Sequence, residues 1–176
     1  MIRRFALLLL ALWSFLAGAS DGTIPREVQL APGSSTVAIR TYGLGLFPLD
    51  GRFGRFDGVL SYDPDDRTRC RVVLHVDVAS LVMSPGAMTG TVLGPDFLDA
   101  AHFPTLAYDG ACAPDGMAGA LTMHGVTRSF ALTLDWHHNV VEAVGRLRRA
   151  DWGMTARPLL GGRFVRIMVK LNLGER

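Results

Sequence analysis

Short runs of alternating apolar and polar residues recur along most of this chain, with turn residues between them. The last run is the longest, and five of its apolar residues share one parity: Val165, Ile167, Val169, Leu171 and Leu173. The other parity still holds Phe164 and Met168. A period of two puts side chains of one parity on one face of an extended strand, so each run predicts a β-strand with one buried face. About eight such runs predict an all-β, antiparallel barrel or sandwich.

The segment from residue 84 to 103 breaks this alternation and is rich in glycine and proline. Within it, residues 96–101 predict one or two helical turns, with Asp96 near the positive end of the helix dipole. We therefore expect a short helical cover near Pro95–Phe103. A chain of 176 residues suffices for one domain with a hydrophobic core, and the sequence shows no interdomain linker or internal repeat.

Residues 1–19 have the three-part layout of a secretory signal peptide. A basic start precedes an apolar run over residues 5–16, and small residues follow it. The run is too short to cross a bilayer of about 30 Å as a helix, which disfavours an uncleaved anchor. We expect cleavage between Ala19 and Ser20, and an exported, soluble mature protein.

The charge balance gives no support to nucleic-acid binding. The formal net charge of +2 comes from two arginines of the predicted leader, so the mature chain would be formally neutral. Arg146, Arg148 and Arg149 form the densest basic cluster. Such a cluster predicts a solvated outer face. The alternative is that it binds an anionic headgroup or makes a transient contact with a membrane surface.

Export to an oxidising compartment favours a disulfide between Cys70 and Cys112. Cys70 opens one predicted strand and Cys112 closes another, so antiparallel pairing of those strands would bring the two together. Each cysteine also shares the parity of the apolar residues of its strand. Two buried free thiols are the alternative.

No catalytic or metal-binding pattern stands out in the sequence. None of the five histidines forms a pair at helical zinc spacing, and the adjacent His137 and His138 point to opposite faces of a strand. No strand-to-helix elbow of the G-x-S-x-G type is present. A glycosidase pair would have to be assembled from scattered carboxylates in three dimensions. These observations predict no metal and no cofactor, and they leave a catalytic carboxylate pair of this kind open.

The interior of a small closed barrel is filled either by side chains or by a ligand. The inward parity of the predicted strands holds valine, isoleucine, leucine, phenylalanine and methionine, with few polar groups. This set fits a packed core and equally a lipid-sized apolar tunnel. The residues by themselves favour the packed core, because filled interiors are the norm in small barrels.

Five motifs, in order and at normal spacing, resemble those of the YceI-like family. The first, over Gly51–Gly58 with Tyr62-Asp63-Pro64, is similar to the family's G-x-F-x-x-F-x-G…(F/Y)-D-P opening. The other four lie at residues 76–81, 96–104, 119–127 and 149–154. The match runs from about Thr36 to Leu173. Each motif is weak by itself, and five in register make a strong resemblance.

The resemblance implies a periplasmic, lipocalin-like antiparallel β-barrel over residues 36–173, after an N-terminal lead-in over 20–35. Members of the family hold a long isoprenoid chain, either a polyprenyl lipid or a quinone, in an apolar tunnel. The resemblance thus favours a lipid tunnel over a packed core, and a non-enzymatic binding or carrier role. A secreted hydrolase or isomerase acting on a lipid-like substrate, and a ligand-free structural or stress protein of the envelope, are the alternatives. Monomer and homodimer both stay open.

Strand parity and the resemblance together assign the tunnel wall to the inward-facing strand residues. These are Val37, Ile39, Phe56, Leu60, Leu74, Val76, Tyr108, Leu121, Met123, Leu132, Leu134, Ile167 and Val169. On the cover segment, Phe97, Leu98 and Phe103 are expected to close one end. Trp152 is expected at the mouth.

Overall fold

The computed structural model describes residues 25–157 and 162–174, and nearly all of its regular structure is β. Eleven antiparallel strands form one sheet. In chain order they are β1 (Arg26–Leu30), β2 (Ser35–Gly43), β3 (Phe47–Phe53), β4 (Phe56–Tyr62), β5 (Cys70–Asp77), β6 (Leu81–Ser84), β7 (Thr105–Ala113), β8 (Gly116–Met123), β9 (Val126–His137), β10 (Val140–Arg148) and β11 (Phe164–Asn172). The helical elements are 3-10 turns at Val78–Ser80, Gly86–Met88 and Arg149–Trp152, and one α-helix, α1 (Thr89–Leu93).

The sheet curls on itself, so that the two ends of its strand order come together at a corner between β3 and β4. The order is β1-β4-β5-β7-β8-β9-β10-β11-β2-β3-β6, and β3 runs almost directly into β4. Two backbone hydrogen bonds of 3.1 Å carry the pairing across this corner, from Gly54 N–H to the Ser80 carbonyl and from Asp77 N–H to the Arg55 carbonyl. The predicted all-β, lipocalin-like antiparallel barrel with a short helical cover is thereby confirmed.

The strands number eleven rather than about eight, and the additional ones are β1, β3 and β6. β1 lies in the segment predicted as a lead-in over 20–35 and pairs along its whole length with β4. β3 contains Pro48, Asp50 and Gly51, residue types that are depleted in strands. β6 has only four residues. All three form because a neighbouring strand supplies hydrogen-bond partners, which no local pattern reveals.

The helical part of the cover lies earlier in the chain than predicted. α1 occupies Thr89–Leu93, and the predicted site at Pro95–Phe103 consists of turns. Asp99 takes a left-handed φ of 47°, which a right-handed helix does not accommodate. Threonine, glycine and valine make α1 a weak helix by propensity, so we attribute its formation to Val92 and Leu93, which pack against the core.

The predicted disulfide between Cys70 and Cys112 is confirmed. β5 pairs with β7, with Arg71 opposite Ala111, so the start of one strand lies beside the end of the other. The two cysteine Cα atoms are 5.0 Å apart and their sulfurs are bonded. The bond thus ties together neighbouring strands at one end of the barrel.

The two ends of the barrel differ in what covers them. The end that holds the disulfide is closed by aromatic packing: the ring centroids of Tyr62 and Trp136 are 5.5 Å apart, and the Arg67 guanidinium lies 5.2 Å from the Trp136 ring. The other end carries the β2–β3 turn, the cover segment over 85–104 and residues 149–157. We call this second end the mouth.

The predicted signal peptide over 1–19, with its cleavage site between Ala19 and Ser20, lies outside the described residues. Within 25–157 and 162–174, no helix has the length and apolarity needed to span a membrane.

Candidate functional site

An apolar cavity of about 480 Å³ occupies the mouth half of the barrel. This volume lies within the roughly 300–1,000 Å³ typical of sites for small molecules. Most of the residues predicted as tunnel wall do line it: Val37, Ile39, Leu74, Val76, Phe97, Leu98, Tyr108, Leu121, Met123, Leu132, Ile167 and Val169. Alternation along each strand brings them together, because their shared parity points inward. Whether they contact a ligand stays a prediction.

The half of the barrel away from the mouth is filled by packed side chains. Val72, Met117, Val141 and Leu171 are all buried, on the same strands or the same inward faces as wall residues, and none of them lines the cavity. The sequence left a packed core and a tunnel as alternatives. The structure contains both, one at each end of the barrel.

Five predicted site residues lie off the cavity wall: Phe56, Leu60, Phe103, Leu134 and Trp152. Phe56 and Leu60 are buried in β4, in the core that surrounds the cavity. Leu134 is partly buried in β9, further from the mouth than the wall residue Leu132.

Phe103 and Trp152 lie in segments at the mouth end, but they pack behind the cavity wall and do not line the cavity. The Phe103 ring lies 4.6 Å from the ring of His124, against the turn between β8 and β9. Trp152 is buried, its indole N–H donates to the Leu121 carbonyl at 3.2 Å, and its ring meets Phe130 edge-on at 6.1 Å. Trp152 therefore holds the wall residue Phe130 in place.

The structure adds wall residues that the sequence reasoning did not select. Leu49 and Phe53 come from β3 and Met83 from β6, two strands whose local pattern is too short or too interrupted to read. Phe130 and Leu147 also line the cavity. These two share the inward parity of their strands, so the alternation could have identified them.

Tyr108 brings a hydroxyl to the wall, and that hydroxyl already has a partner. Its O–H donates to the Phe130 carbonyl at 3.2 Å. Burial raises the pKa of Tyr108 to about 12, and the nearby negative charge of Asp109 adds to the rise. At neutral pH the group is a neutral donor engaged by the backbone, which leaves the surrounding wall apolar.

We expect Tyr108 to ionise late in an alkaline titration followed by tyrosinate absorbance. The folded state holds this proton more tightly than the unfolded chain, whose tyrosine pKa is about 10. The group's contribution to the free energy of unfolding is therefore complete below pH 10 and is lost as the pH rises toward about 12. Tyr108→Phe should remove the late step, and Tyr42→Phe, at a half-exposed position, should keep it. A late step that survives in Tyr108→Phe would contradict the assignment.

Arg149 is one of two arginines that line the cavity, and it differs from the rest of its cluster. It is only 5% exposed, and it donates from Nε to the Gly162 carbonyl at 3.0 Å and from Nη1 to the Met154 carbonyl at 2.7 Å. Burial lowers the pKa of its guanidinium, which still stays a cation at neutral pH. Arg146 and Arg148 are exposed, as predicted, whereas Arg149 continues the inward parity of β10.

An ion pair joins the cover segment to the residues that follow β10. Arg157 Nε lies 2.5 Å from Asp96 Oδ2, and both side chains are about half exposed. Arg157 also lines the cavity, so the pair stands at its rim. Among the described residues, no group of histidine, cysteine, aspartate and glutamate is arranged to hold a metal ion.

Comparison with known proteins agrees with this fold and this cavity. The family model for the YceI-like domain matches residues 29–173. The chain belongs to the YceI-like family. The match includes part of β1, so the YceI-like domain here extends into the segment predicted as a lead-in.

A UPF0312 protein of Vibrio cholerae serotype O1 is similar in sequence to this YceI-like chain. It is 28% identical over 128 residues, which cover 69% of this chain and 66% of the Vibrio protein. The aligned segment thus spans just under two thirds of that relative's length. A UPF0312 protein of Shewanella sp. (strain ANA-3) is 27% identical over 122 residues, 66% of this chain and 62% of the relative.

Solved structures share the fold of the YceI-like domain at low sequence identity. BcnA of Burkholderia cenocepacia superposes with a TM-score of 0.65 at 21% identity, over 78% of this chain and 94% of BcnA. A polyisoprenoid binding domain from Saccharophagus degradans, implicated in plant cell wall breakdown, superposes with a TM-score of 0.59 at 12% identity, over 83% of this chain and 98% of that domain.

Proposed function

We propose that this protein binds one long isoprenoid lipid, a polyprenyl lipid or a quinone, in its cavity and carries it without changing it chemically. The observation that supports this most is the apolar cavity of about 480 Å³ at one end of an otherwise packed barrel. Each buried methylene group of a ligand contributes about 0.8 kcal/mol. A chain of repeating apolar units therefore binds well in such a space, and the similarity to a polyisoprenoid binding domain favours this ligand class.

The headgroup of the lipid belongs at the mouth in this proposal. Burying a polar group without hydrogen-bond partners costs free energy, and the packed far end offers it no room. Arg157 and Asp96 stand at the rim of the cavity. The chain of the lipid would thus point toward Leu121, Leu132 and Val169, with its polar end near the ion pair.

The chemistry of the residues that line the cavity fits lipid carriage better than it fits catalysis. A general acid or base works best with a pKa near the operating pH, and Tyr108 on the wall has a pKa of about 12. The second wall group with a shifted pKa, Arg149, is a cation that donates to backbone carbonyls. We therefore infer a binding role rather than a hydrolase or isomerase activity.

The periplasm is the compartment that we propose, after removal of residues 1–19. The leader-like sequence supports export. The bond between Cys70 and Cys112 supports an oxidising compartment, because disulfides persist there and are rare in the cytosol.

Native mass spectrometry of the protein purified from its host, followed by organic extraction, tests the proposed function. A co-purifying mass with isoprenoid spacing is expected, and the delipidated protein should take up an added polyprenyl alcohol or ubiquinone. The two probes separate the two kinds of isoprenoid. Turnover of the lipid by the pure protein would establish the enzyme instead. No bound mass and no uptake of either probe would contradict lipid binding.

A further inference from the structure

The turn between β2 and β3 carries the most exposed large apolar side chains at the mouth. Leu44 is 56% exposed, Leu46 is 77% exposed and Phe47 is 61% exposed. Leu44 and Phe47 also line the cavity, so apolar surface continues from the solvent into the cavity. A cluster of this kind is typical of a surface that meets a protein partner or a membrane.

Two aromatic side chains lie next to this turn on the outer face of the sheet. Tyr42 is 46% exposed and Phe164 is 43% exposed. They belong to neighbouring strands, which are joined here by a hydrogen bond of 3.0 Å from Thr41 Oγ1 to the Phe164 carbonyl. Exposed aromatic rings of this type sit well at the level of lipid headgroups, because one end is apolar and the other tolerates water.

A row of three arginines crosses the same outer face. It lies further from the β2–β3 turn than the two aromatic residues do. Arg40 lies opposite Arg166, and Arg166 lies opposite Arg146. Asp50 pairs with Arg40 at 2.5 Å, which leaves the row with a net positive charge. Like charges directly opposite each other destabilise a sheet, so an anion bound across the row would stabilise it.

The arginine row and the aromatic residues enclose a common cleft of about 230 Å³, lined by Arg40, Tyr42, Arg146, Phe164 and Arg166. The Arg146 guanidinium lies 3.9 Å from the centroid of the Phe164 ring. This stacking holds one cation and one aromatic ring together on the outer face, where both face solvent.

The apolar turn, the two aromatic residues and the arginine row follow one another at a spacing that matches the interface of a bilayer. At a rise of about 3.3 Å per residue, Gly43 at the end of β2 lies roughly 10 Å beyond Arg40, with Tyr42 between them. The turn that carries Leu44 begins there. Interfacial segments bury their apolar side chains about 5–10 Å deep. Basic side chains at the corresponding height meet the phosphates of anionic lipids, and each cation strengthens binding about five-fold.

We propose that this surface docks on an anionic phospholipid bilayer, with the β2–β3 turn inserted among the headgroups. The surface, which we call the docking face, consists of Arg40, Tyr42, Leu44, Leu46, Phe47, Arg146, Phe164 and Arg166. The inference rests on the proposed function, because docking sets the cavity mouth against the membrane. An isoprenoid chain then passes between bilayer and cavity along apolar surface, without crossing water.

Co-sedimentation with phospholipid vesicles tests the docking face. The full mature protein is expected to sediment with mixed phosphatidylglycerol and phosphatidylcholine vesicles, and far less with phosphatidylcholine alone. Leu46→Asp and Arg166→Glu should each weaken binding to the anionic vesicles about five-fold or more. Neither residue lines the cavity, so uptake of a polyprenyl alcohol from detergent solution should stay at the wild-type level in both.

Two matched controls change the same chemistry away from the docking face. Ala118→Asp adds a charge at an exposed apolar position of β8, which pairs with β7 and β9 and with no strand of the docking face. Arg26→Glu reverses a charge on β1 beside Tyr62, at the end of the barrel opposite the mouth. Both controls should sediment with anionic vesicles as the wild type does.

The outcomes separate the docking inference from the proposed function. Lipid uptake without vesicle binding, or vesicle binding that all four variants retain, would overturn the docking face and leave the carrier role standing. Vesicle binding that depends on Leu46 and Arg166, without uptake of any isoprenoid, would support the docking face and contradict the carrier role. If this face binds a protein partner instead of a membrane, the protein should sediment with neither kind of vesicle, and the docking inference is overturned.

Discussion

Val76→Trp and Val169→Trp are each expected to abolish isoprenoid uptake while the protein stays folded. Both valines line the cavity, so the added indole ring extends into space that the lipid chain would occupy. The same space lets the ring fit with little strain. Uptake of a polyprenyl alcohol by native mass spectrometry and thermal unfolding by circular dichroism measure the two effects.

Val72→Trp is the matched control for these variants. Val72 lies four residues before Val76 on the same face of β5, but it is buried in the packed half and does not line the cavity. Overpacking there is expected to cost about 1–3 kcal/mol of stability, a fall in Tm of roughly 2–4 °C for each kcal/mol. The folded fraction should still take up lipid. Unchanged affinity in both folded Val76→Trp and Val169→Trp would mean that the lipid binds elsewhere.

Replacing both Cys70 and Cys112 by serine is expected to lower the free energy of unfolding by about 2–4 kcal/mol. The bond joins residues 42 positions apart, and without it the unfolded chain gains the entropy of an open loop. Chemical denaturation with and without the bond measures the difference. Because the bond lies at the end of the barrel opposite the mouth, uptake of lipid by the folded variant should persist.

Reduction supplies the control for the cysteine variant. A reducing agent should destabilise the wild type to about the level of the double variant, and should leave the double variant itself unchanged. Thiol labelling of denatured, unreduced protein should find no free cysteine. Full labelling of both Cys70 and Cys112 would contradict the bond in the mature protein.

Much of the cavity wall could be predicted from the alternation alone, because the period of a strand is a local property. Val37, Ile39, Ile167 and Val169 all point inward for this reason. The same rule applied to β10 would have placed Arg149 inside, where the structure has it. The basic cluster as a whole predicts an exposed face, since charge is seldom buried, and this prediction is wrong for Arg149.

Other features depend on contacts between residues distant in the chain. β3 forms beside β2 although proline, aspartate and glycine interrupt it. α1 forms at Thr89–Leu93, where side chains can pack on the core, instead of at Pro95–Phe103. In both places contacts with neighbouring strands or with the core override the local conformational preference. The sequence pattern reveals only that local preference.

The sequence by itself determined which face of each strand is buried, that two cysteines stand at matching ends of neighbouring strands, and to which family the chain belongs. Only the tertiary structure decided what each buried face meets. Val72 and Val76 share a strand, a face and a residue type, yet one packs in the core and the other lines the cavity. The difference arises from their positions along the barrel axis. Those positions depend on the curl of the sheet and on the corner between β3 and β4, which hydrogen bonds between distant segments hold together.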